Sequence, residues 1–365
     1  MEPAIGSKRA SQGRRGALAS TRHVRSVGLA GPVRALALSL SLLLAGCGLG
    51  VSNTQVTGFR VCVATNVDGM NPHTFNALAA AGASSAGAHV QTVQSHAPSD
   101  YLSSLQRCAA AKPDLIIAAA SDMASAVWRA AQLHTGQRFA LVDGAPVDDN
   151  GQPVDLPNVS DLLFNEQEPG YLVGALAGLL ENDKVGSVSH NVLGVLGMNH
   201  GPNVDPYIAG YIAGVKSVDP AVKLNIQYSD SVDAAFCKQL GINQISNGAD
   251  ILFEVTGRCA SGYIDAAYDA GAYAIGSDND MAYASPAVIT SALKRVDQAV
   301  AVTVRRLING QFKSGKQVFS LQQDATGFST PSSVVPQEII NQVLDLRTKI
   351  HNGEITPPDT IPPGT

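Results

Sequence analysis

Several things are missing from this 365-residue chain, and each absence narrows what it can do. Beyond its N-terminal segment there is no run of 18 consecutive apolar residues, which excludes a helix spanning a bilayer in the processed chain. No GxSxG elbow, Walker A loop, HExxH or strand-borne GxGxxG occurs, so no catalytic apparatus, cofactor fingerprint or metal motif is visible. The eight histidines are scattered. His190 and His200 flank an apolar run, but two lone histidines read as loop residues rather than metal ligands. The four cysteines after residue 47 (Cys62, Cys108, Cys237 and Cys259) match neither a CxxC redox site nor a zinc spacing. Basic charge is scarce as well. Seven of the 25 Lys and Arg lie in the first 46 residues against one acid, leaving 18 basic and 29 acidic residues and a formal net charge of −11. That balance argues against nucleic acid as a partner.

What is present begins with an export signal. The basic stretch runs into Ala35–Ala45, an apolar region too short to cross a membrane, which closes on Leu44-Ala45-Gly46-Cys47. Small residues just before a cysteine resemble the lipobox of bacterial lipoproteins, so residues 1–46 are expected to be a lipoprotein signal peptide and Cys47 the lipidated N-terminus. A plain signal peptide or a short anchor is the alternative, and Arg14-Arg15 only weakly suggests twin-arginine export. Residues 47–58, small and polar, are expected to be a tether that keeps the domain on the outer face of the cell membrane. Outside the cytoplasm an even number of cysteines invites disulfides. Element ends suggest Cys62–Cys108 and Cys237–Cys259, each within one lobe.

The stretch RVCVATNVDGMNPHTFNALAAAG (60–82) reads as strand, loop and helix, with Asn71 as the N-cap and Pro72 at the first turn. In open α/β sheets such loops border the ligand crevice, which makes Asn66, Asp68, Asn71, Phe75 and Asn76 candidate contacts. The unit recurs. Strands are expected at 60–65, 89–93, 114–119, 139–142 and 159–164, and then at 193–197, 223–228, 250–255, 273–276 and 288–291. Helix-length stretches separate them, among them Glu168–Glu181, apolar all round and rich in small residues, which should be buried tightly against its neighbours. Helices at 295–309 and 337–351 follow. Two α/β lobes result: 59–166 plus 277–294, and 167–276 plus 295–353. The proline-rich tail 354–365 is expected to be poorly ordered.

A set of phrases in order resembles the basic membrane protein family, the substrate-binding lipoproteins of ABC transporters that include purine nucleoside receptors. They are VATNVDGMNPHTFNALA (63–79), ALVDG (140–144), EPGYLVGALAGLL (168–180), LGVLGMNHGPNVDPYIAGYIAGVKSVDP (193–220), GADILFEVTG (248–257), YAIGSDND (273–280) and VITSALKRVDQAV (288–300). The resemblance implies a type I periplasmic-binding-protein-like fold, two parallel-sheet α/β lobes joined by a multi-strand hinge. It also implies a purine nucleoside between the lobes, an ABC permease as partner, and no catalysis, cofactor or metal. Carried onto this sequence, the ligand-binding positions are Asn66, Phe75, Asn76, Asp143, Gly257, Asp278 and Lys294. Phe75 would stack on the base, and Asp278, Lys294 and Asn66 would surround the ribose. Two departures stand out: Asn66 replaces an expected Asp, and the glycine-rich turn after Gly257 is here Arg258-Cys259-Ala260-Ser261-Gly262. A second aromatic wall is open among Phe253, Tyr207, Tyr211 and Tyr263. A nucleoside-processing enzyme and a surface sensor on the same lobes are the alternative functions.

Overall fold

Four-residue apolar runs with no polar alternation need protein on both faces, and in this chain they have it. β3 (Leu115–Ala118) and β4 (Phe139–Val142) are buried at every residue, as is β1 (Arg60–Ala64) after Arg60. With β2 (His89–Val93) and β5 (Val159–Phe164) they pair in parallel, in the order β2-β1-β3-β4-β5. The crossover helices are α1 (Phe75–Ser85), α2 (Tyr101–Ala110) and α3 (Ala124–Leu133). The computed structural model describes residues 58–363. The expected signal segment, Cys47 and the tether as far as residue 57 lie outside the described residues.

The second lobe opens with α4 (Gln167–Asn182), buried from Glu168 through Glu181. It lies against α5 (Asp205–Val218), and glycine makes the approach possible: a Cβ at Gly174 would collide with the Tyr211 backbone, and one at Gly214 with that of Tyr171. Around this pair stand β6 (Val192–Gly197), β7 (Lys223–Tyr228), α6 (Ala234–Ser246), β8 (Ile251–Val255), α7 (Ala260–Ala270), β9 (Tyr273–Asp278) and β10 (Val288–Lys294). The strands run parallel in the order β7-β6-β8-β9-β10.

The last third corrects the expected lobe boundaries. Residues 277–294 do not return to the first lobe, because β10 pairs with β9 along Ala274–Asp278 and the loop between them folds back, Met281 N–H donating to Ser291 Oγ at 3.0 Å. The crossing comes after Lys294. α8 (Val296–Ile308) then packs on the first lobe, where Val296, Val300 and Val304 share a core with Val61 and Val63, and β11 (Gly315–Phe319) extends that sheet beside β5. A third crossing returns the chain: β12 (Thr326–Phe328) pairs antiparallel with β10, and α9 (Gln337–His351) buries Ile339 and Val343 in the second core. The lobes are therefore 58–166 plus 295–319, and 167–294 plus 326 onward. The proline-rich tail is also different from expectation, since Ile355 and Ile361 pack on the second core and Pro357 is buried.

Three chain crossings side by side make the hinge. Asn165 N–H donates to Phe319 O at 2.9 Å, and Arg295 N–H to Ala325 O at 2.8 Å. Glu168 ties the first crossing to the third, accepting from Asn165 Nδ2 at 3.1 Å, Leu321 N at 2.7 Å and Thr326 Oγ1 at 2.7 Å. Disulfides join Cys62 to Cys108 and Cys237 to Cys259, with Cα–Cα separations of 5.7 and 5.9 Å, each inside one lobe. Neither crosses the hinge. Among the described residues no helix is long and apolar enough to cross a membrane.

Candidate functional site

The loops that follow β1, β3, β6, β8 and β9 converge on one cavity of about 550 Å³ between the lobes, the place where strand ends of α/β sheets receive ligands. The first lobe contributes Asn66, Asp68, Phe75 and Asp122; the second contributes Met198, Glu254, Gly257, Arg258, Asp278 and Met281. The lobes touch across its mouth. Arg258 Nε reaches Asp68 Oδ1 at 2.8 Å, Asn279 Nδ2 donates to His73 O at 2.9 Å, and the His73 and Tyr283 rings stack with centroids 3.6 Å apart.

The β1 loop is held from beneath. Thr74, not Asn71, caps α1: its Oγ1 accepts from Ala77 N, and Asn71 instead supplies a carbonyl to Thr74. This starts the helix at Phe75, whose side chain lines the cavity, and turns Asn76 inward. Asn76 Nδ2 donates to Asn66 Oδ1 at 2.8 Å and to Gly69 O at 2.7 Å, while its Oδ1 accepts from Asn66 N at 3.0 Å. Asn66 in turn donates to Asp68 Oδ2 at 2.8 Å. The amide that replaces the expected Asp thus donates and accepts within the first lobe, as an ionised carboxylate could not.

Asn76, Asp143 and Lys294, expected among the ligand contacts, do not line the cavity. Asn76 is fully buried in bracing the loop, and the other two form a charged cluster behind Asp278. Lys294 Nζ lies 2.7 Å from Asp143 Oδ1, 3.2 Å from Glu166 Oε1 and 3.6 Å from Asp278 Oδ1. It is also 5.9 Å from the centre of the Phe75 ring and 5.4 Å from that of Tyr207. Asp143, directly after β4, and Asp278, the last residue of β9, have φ of 62° and 66°, a left-handed backbone that Asp tolerates better than most residues. One comes from each lobe. Asn203 Nδ2 donates to Asp143 Oδ2 at 3.0 Å, and Tyr207 OH donates to Asp278 Oδ1 at 3.3 Å.

Electrostatics separate the members of this cluster. Burial pushes Asp143 up to about 7, opposed by Lys294 and reinforced by Glu166 and Asp278. Burial raises Glu166 too, against the pull of Lys294. For Lys294 desolvation acts downward, but Asp143, Glu166 and Asp278 outweigh it and hold its pKa well above the ordinary value. Lys294 is a cation, and its single charge faces more carboxylates than it can neutralise. Asp278, with 29% of its side chain exposed, is the member that opens into the cavity.

Sequence reasoning missed Glu166 and Asn203 in this cluster and Asp122 in the lining; it named Tyr207 only as an aromatic wall and Arg258 only as a departure in the turn after Gly257. Asp122 carried a usable signal, standing just past the end of β3. Of the four aromatic residues considered for a second wall, Phe253, Tyr211 and Tyr263 are core, Tyr211 stacking on Phe253 at 4.6 Å, and Tyr207 reaches the site only through its hydroxyl. The second lobe contributes Met198 and Met281 to the lining instead, side chains that adapt to an apolar surface.

Residues 68–360 match the family model described as Bmp, ABC transporter substrate-binding protein PnrA-like. The chain belongs to this family. Basic membrane protein A of Borreliella burgdorferi is 30% identical over 264 residues, 71% of this chain and 75% of that protein. The ABC transporter nucleoside-binding protein BmpA of Lactococcus lactis subsp. cremoris is 25% identical over 358 residues, 89% of this chain and 97% of that one. A solute-binding protein of an ABC transporter system from Aeropyrum pernix superposes with a TM-score of 0.68 at 24% identity, over 82% of this chain and 94% of that one. At that identity the likeness shows the fold, a type I periplasmic-binding-protein-like pair of lobes. The family makes the chain a substrate-binding protein of an ABC transporter.

Proposed function

We propose that this protein captures a purine nucleoside between its lobes and delivers it to an ABC permease, while Cys47 holds it by lipid to the outer face of the cell membrane. The observation that carries the reading is the pairing of Phe75 with Asp278 in one cavity, an aromatic face beside a strand-end carboxylate. Phe75 is the platform for the base. Asp278 accepts from ribose hydroxyls, and Lys294 with Asp143 positions it from behind. Asn66 and Gly257 complete the lining on either lobe. Affinity for a solute comes from enclosure, stacking and hydrogen bonds, all of which this cavity offers.

The nucleoside-binding relative supports the ligand class, and the LAGC sequence supports the anchor. Ligand at about 100 times its dissociation constant stabilises a fold by about 2.7 kcal/mol, enough for a thermal-shift screen. Guanosine, adenosine, inosine, uridine, free bases, ribose and common amino acids are compared side by side. A shift with purine nucleosides alone is expected. A sugar or an amino acid that raises the melting temperature when no nucleoside does overturns the assignment.

A further inference from the structure

The two ends of the cavity are chemically different, and sheet order sets them apart. On the hinge side are the ends of β4, β9 and β10, with Asp143, Asp278 and Lys294. Farther out are the ends of β1, β3 and β8, with Asp68, Asp122 and Arg258. Neighbouring strands are about 4.8 Å apart, so a flat ligand stacked on Phe75 spans from one set to the other.

The outer set is unlike a generic polar rim. Arg258 uses Nε on Asp68, and its two terminal NH₂ groups have no hydrogen-bond partner among the described residues. Both Asp68 oxygens are engaged, by Arg258 and by Asn66 Nδ2. Asp122 is held by Tyr101, whose hydroxyl donates to Oδ2 at 2.6 Å, and its Oδ1 meets only a long contact from Asn66 Nδ2 at 3.5 Å. Asp122 therefore still has acceptor capacity in a fixed orientation, and Arg258 still has donors. A site with one acceptor carboxylate and one donor guanidinium suits a base edge that presents two adjacent donors beside an acceptor.

Building on the nucleoside reading, we propose that Asp122 and Arg258 select a 2-amino-6-oxopurine, a guanine-type base, over other purines. The carboxylate takes the ring N1–H and the 2-amino group together, and the guanidinium takes the 6-oxo oxygen. A 6-oxopurine lacking the 2-amino group loses one of these bonds. An adenine-type base offers a single donor group on that edge, so it too forgoes one. Uncharged carboxamide in place of the carboxylate presents a donor to the ring N–H and removes the preference.

Guanosine, inosine and adenosine are titrated calorimetrically into the wild-type protein and into Asp122→Asn, which keeps an oxygen for Tyr101. Guanosine is expected to bind about tenfold tighter than inosine or adenosine to the wild type, the discrimination typical of a well-placed bidentate contact. In Asp122→Asn the gap between guanosine and inosine should close, with far-ultraviolet circular dichroism unchanged. A second variant, Arg258→Gln, should weaken guanosine and inosine together. Equal binding of guanosine and inosine by the wild type, or a gap that survives in Asp122→Asn, overturns the selection while leaving nucleoside capture standing. Failure of all three nucleosides to bind overturns both.

Discussion

Replacing Lys294 by Met removes the one cation from a buried cluster of carboxylates while keeping a side chain of similar length. Lys294 is 2% exposed and lies within 4 Å of Asp143, Glu166 and Asp278. Removing one partner of a buried ion pair costs roughly 3–5 kcal/mol when the other stays charged. Here the carboxylates have an escape, because they can take protons. Asp143 already sits near 7 in the fold with Lys294 present, against an ordinary value of 3.8. A carboxylate raised on folding lowers stability as pH climbs from its unfolded to its folded pKa, since the folded state binds the extra proton. Without the lysine the carboxylates rise further, and the decline steepens and extends above pH 7. The variant should therefore be only slightly weaker than the wild type at pH 5 and roughly 3–5 kcal/mol weaker at pH 8, on the order of 10 °C in melting temperature. Urea unfolding at pH 5, 6.5 and 8 measures this, with Asp143→Asn added to the same background as a second check. The double variant should recover part of the loss at pH 8. A deficit that is flat with pH, or less than about 1 kcal/mol at pH 8, refutes the view that Lys294 holds buried negative charge in place.

Three further outcomes are expected. Phe75→Ala should weaken nucleoside binding by about 5- to 150-fold, as loss of an aromatic platform is worth about 1–3 kcal/mol; isothermal titration settles it, and unchanged affinity places the base elsewhere. Asp161, on β5, is buried with no hydrogen-bond partner for either oxygen among the described residues, and burial, with Asp155 adding to it against Lys316, pushes it up to about 6. Its contribution should fall as pH rises from about 4 to about 6, so Asp161→Asn should gain about 1–3 kcal/mol relative to wild type between pH 4 and pH 8; parallel stability curves would remove the argument. Cys47→Ala should release the protein from membranes or leave an uncleaved precursor, read by fractionation and intact mass, and unchanged attachment and mass would contradict the anchor.

The parts of the fold that were legible in the sequence are those where local chemistry and tertiary role coincide. LIIA and FALV have one use, as strands covered on both faces, and the glycines of residues 170–178 foretold a helix pressed against a neighbour. The boundaries failed where they did not coincide. GSDND at 276–280 looks like a crossing between lobes but is the end of β9 and the start of its loop to β10 within one sheet, and β11, GKQVF, is an edge strand whose alternating exposure leaves it without an apolar run. β12 is three residues long and has no signature. The site divides in the same way. Phe75 and Asp278 stand in phrases that resemble a family, but the resemblance gave no depth, so Lys294 and Asp143 were expected in the lining when they stand behind it. Glu166 meets Lys294, and Asn203 meets Asp143, only from the opposite lobe, and no local pattern reports that.

The distribution of contacts between the lobes also says how the protein opens. Lys294 belongs to the second lobe, yet its shortest contacts are to Asp143 and Glu166 of the first, beside the crossings bound by Glu168. Groups this close to a hinge move little when it turns. At the mouth, where displacement is largest, the ties are the ion pair of Arg258 with Asp68, whose side chains are 52% and 37% exposed, one hydrogen bond from Asn279 to the His73 carbonyl, and the stacked rings of His73 and Tyr283. An ion pair of that exposure contributes about 0–1 kcal/mol. The buried charges therefore fix the axis, while the rim opens at low cost, and most of the free energy that keeps the lobes closed has to come from a ligand that touches both. Asp278 and Arg258 from one lobe, and Phe75 and Asp122 from the other, are placed to make such a ligand the link. Closure without ligand should then be transient, and small-angle scattering should report a larger radius of gyration for the free protein than for the nucleoside complex. Equal radii with and without a ligand proven to bind would mean that the rim contacts hold the lobes by themselves.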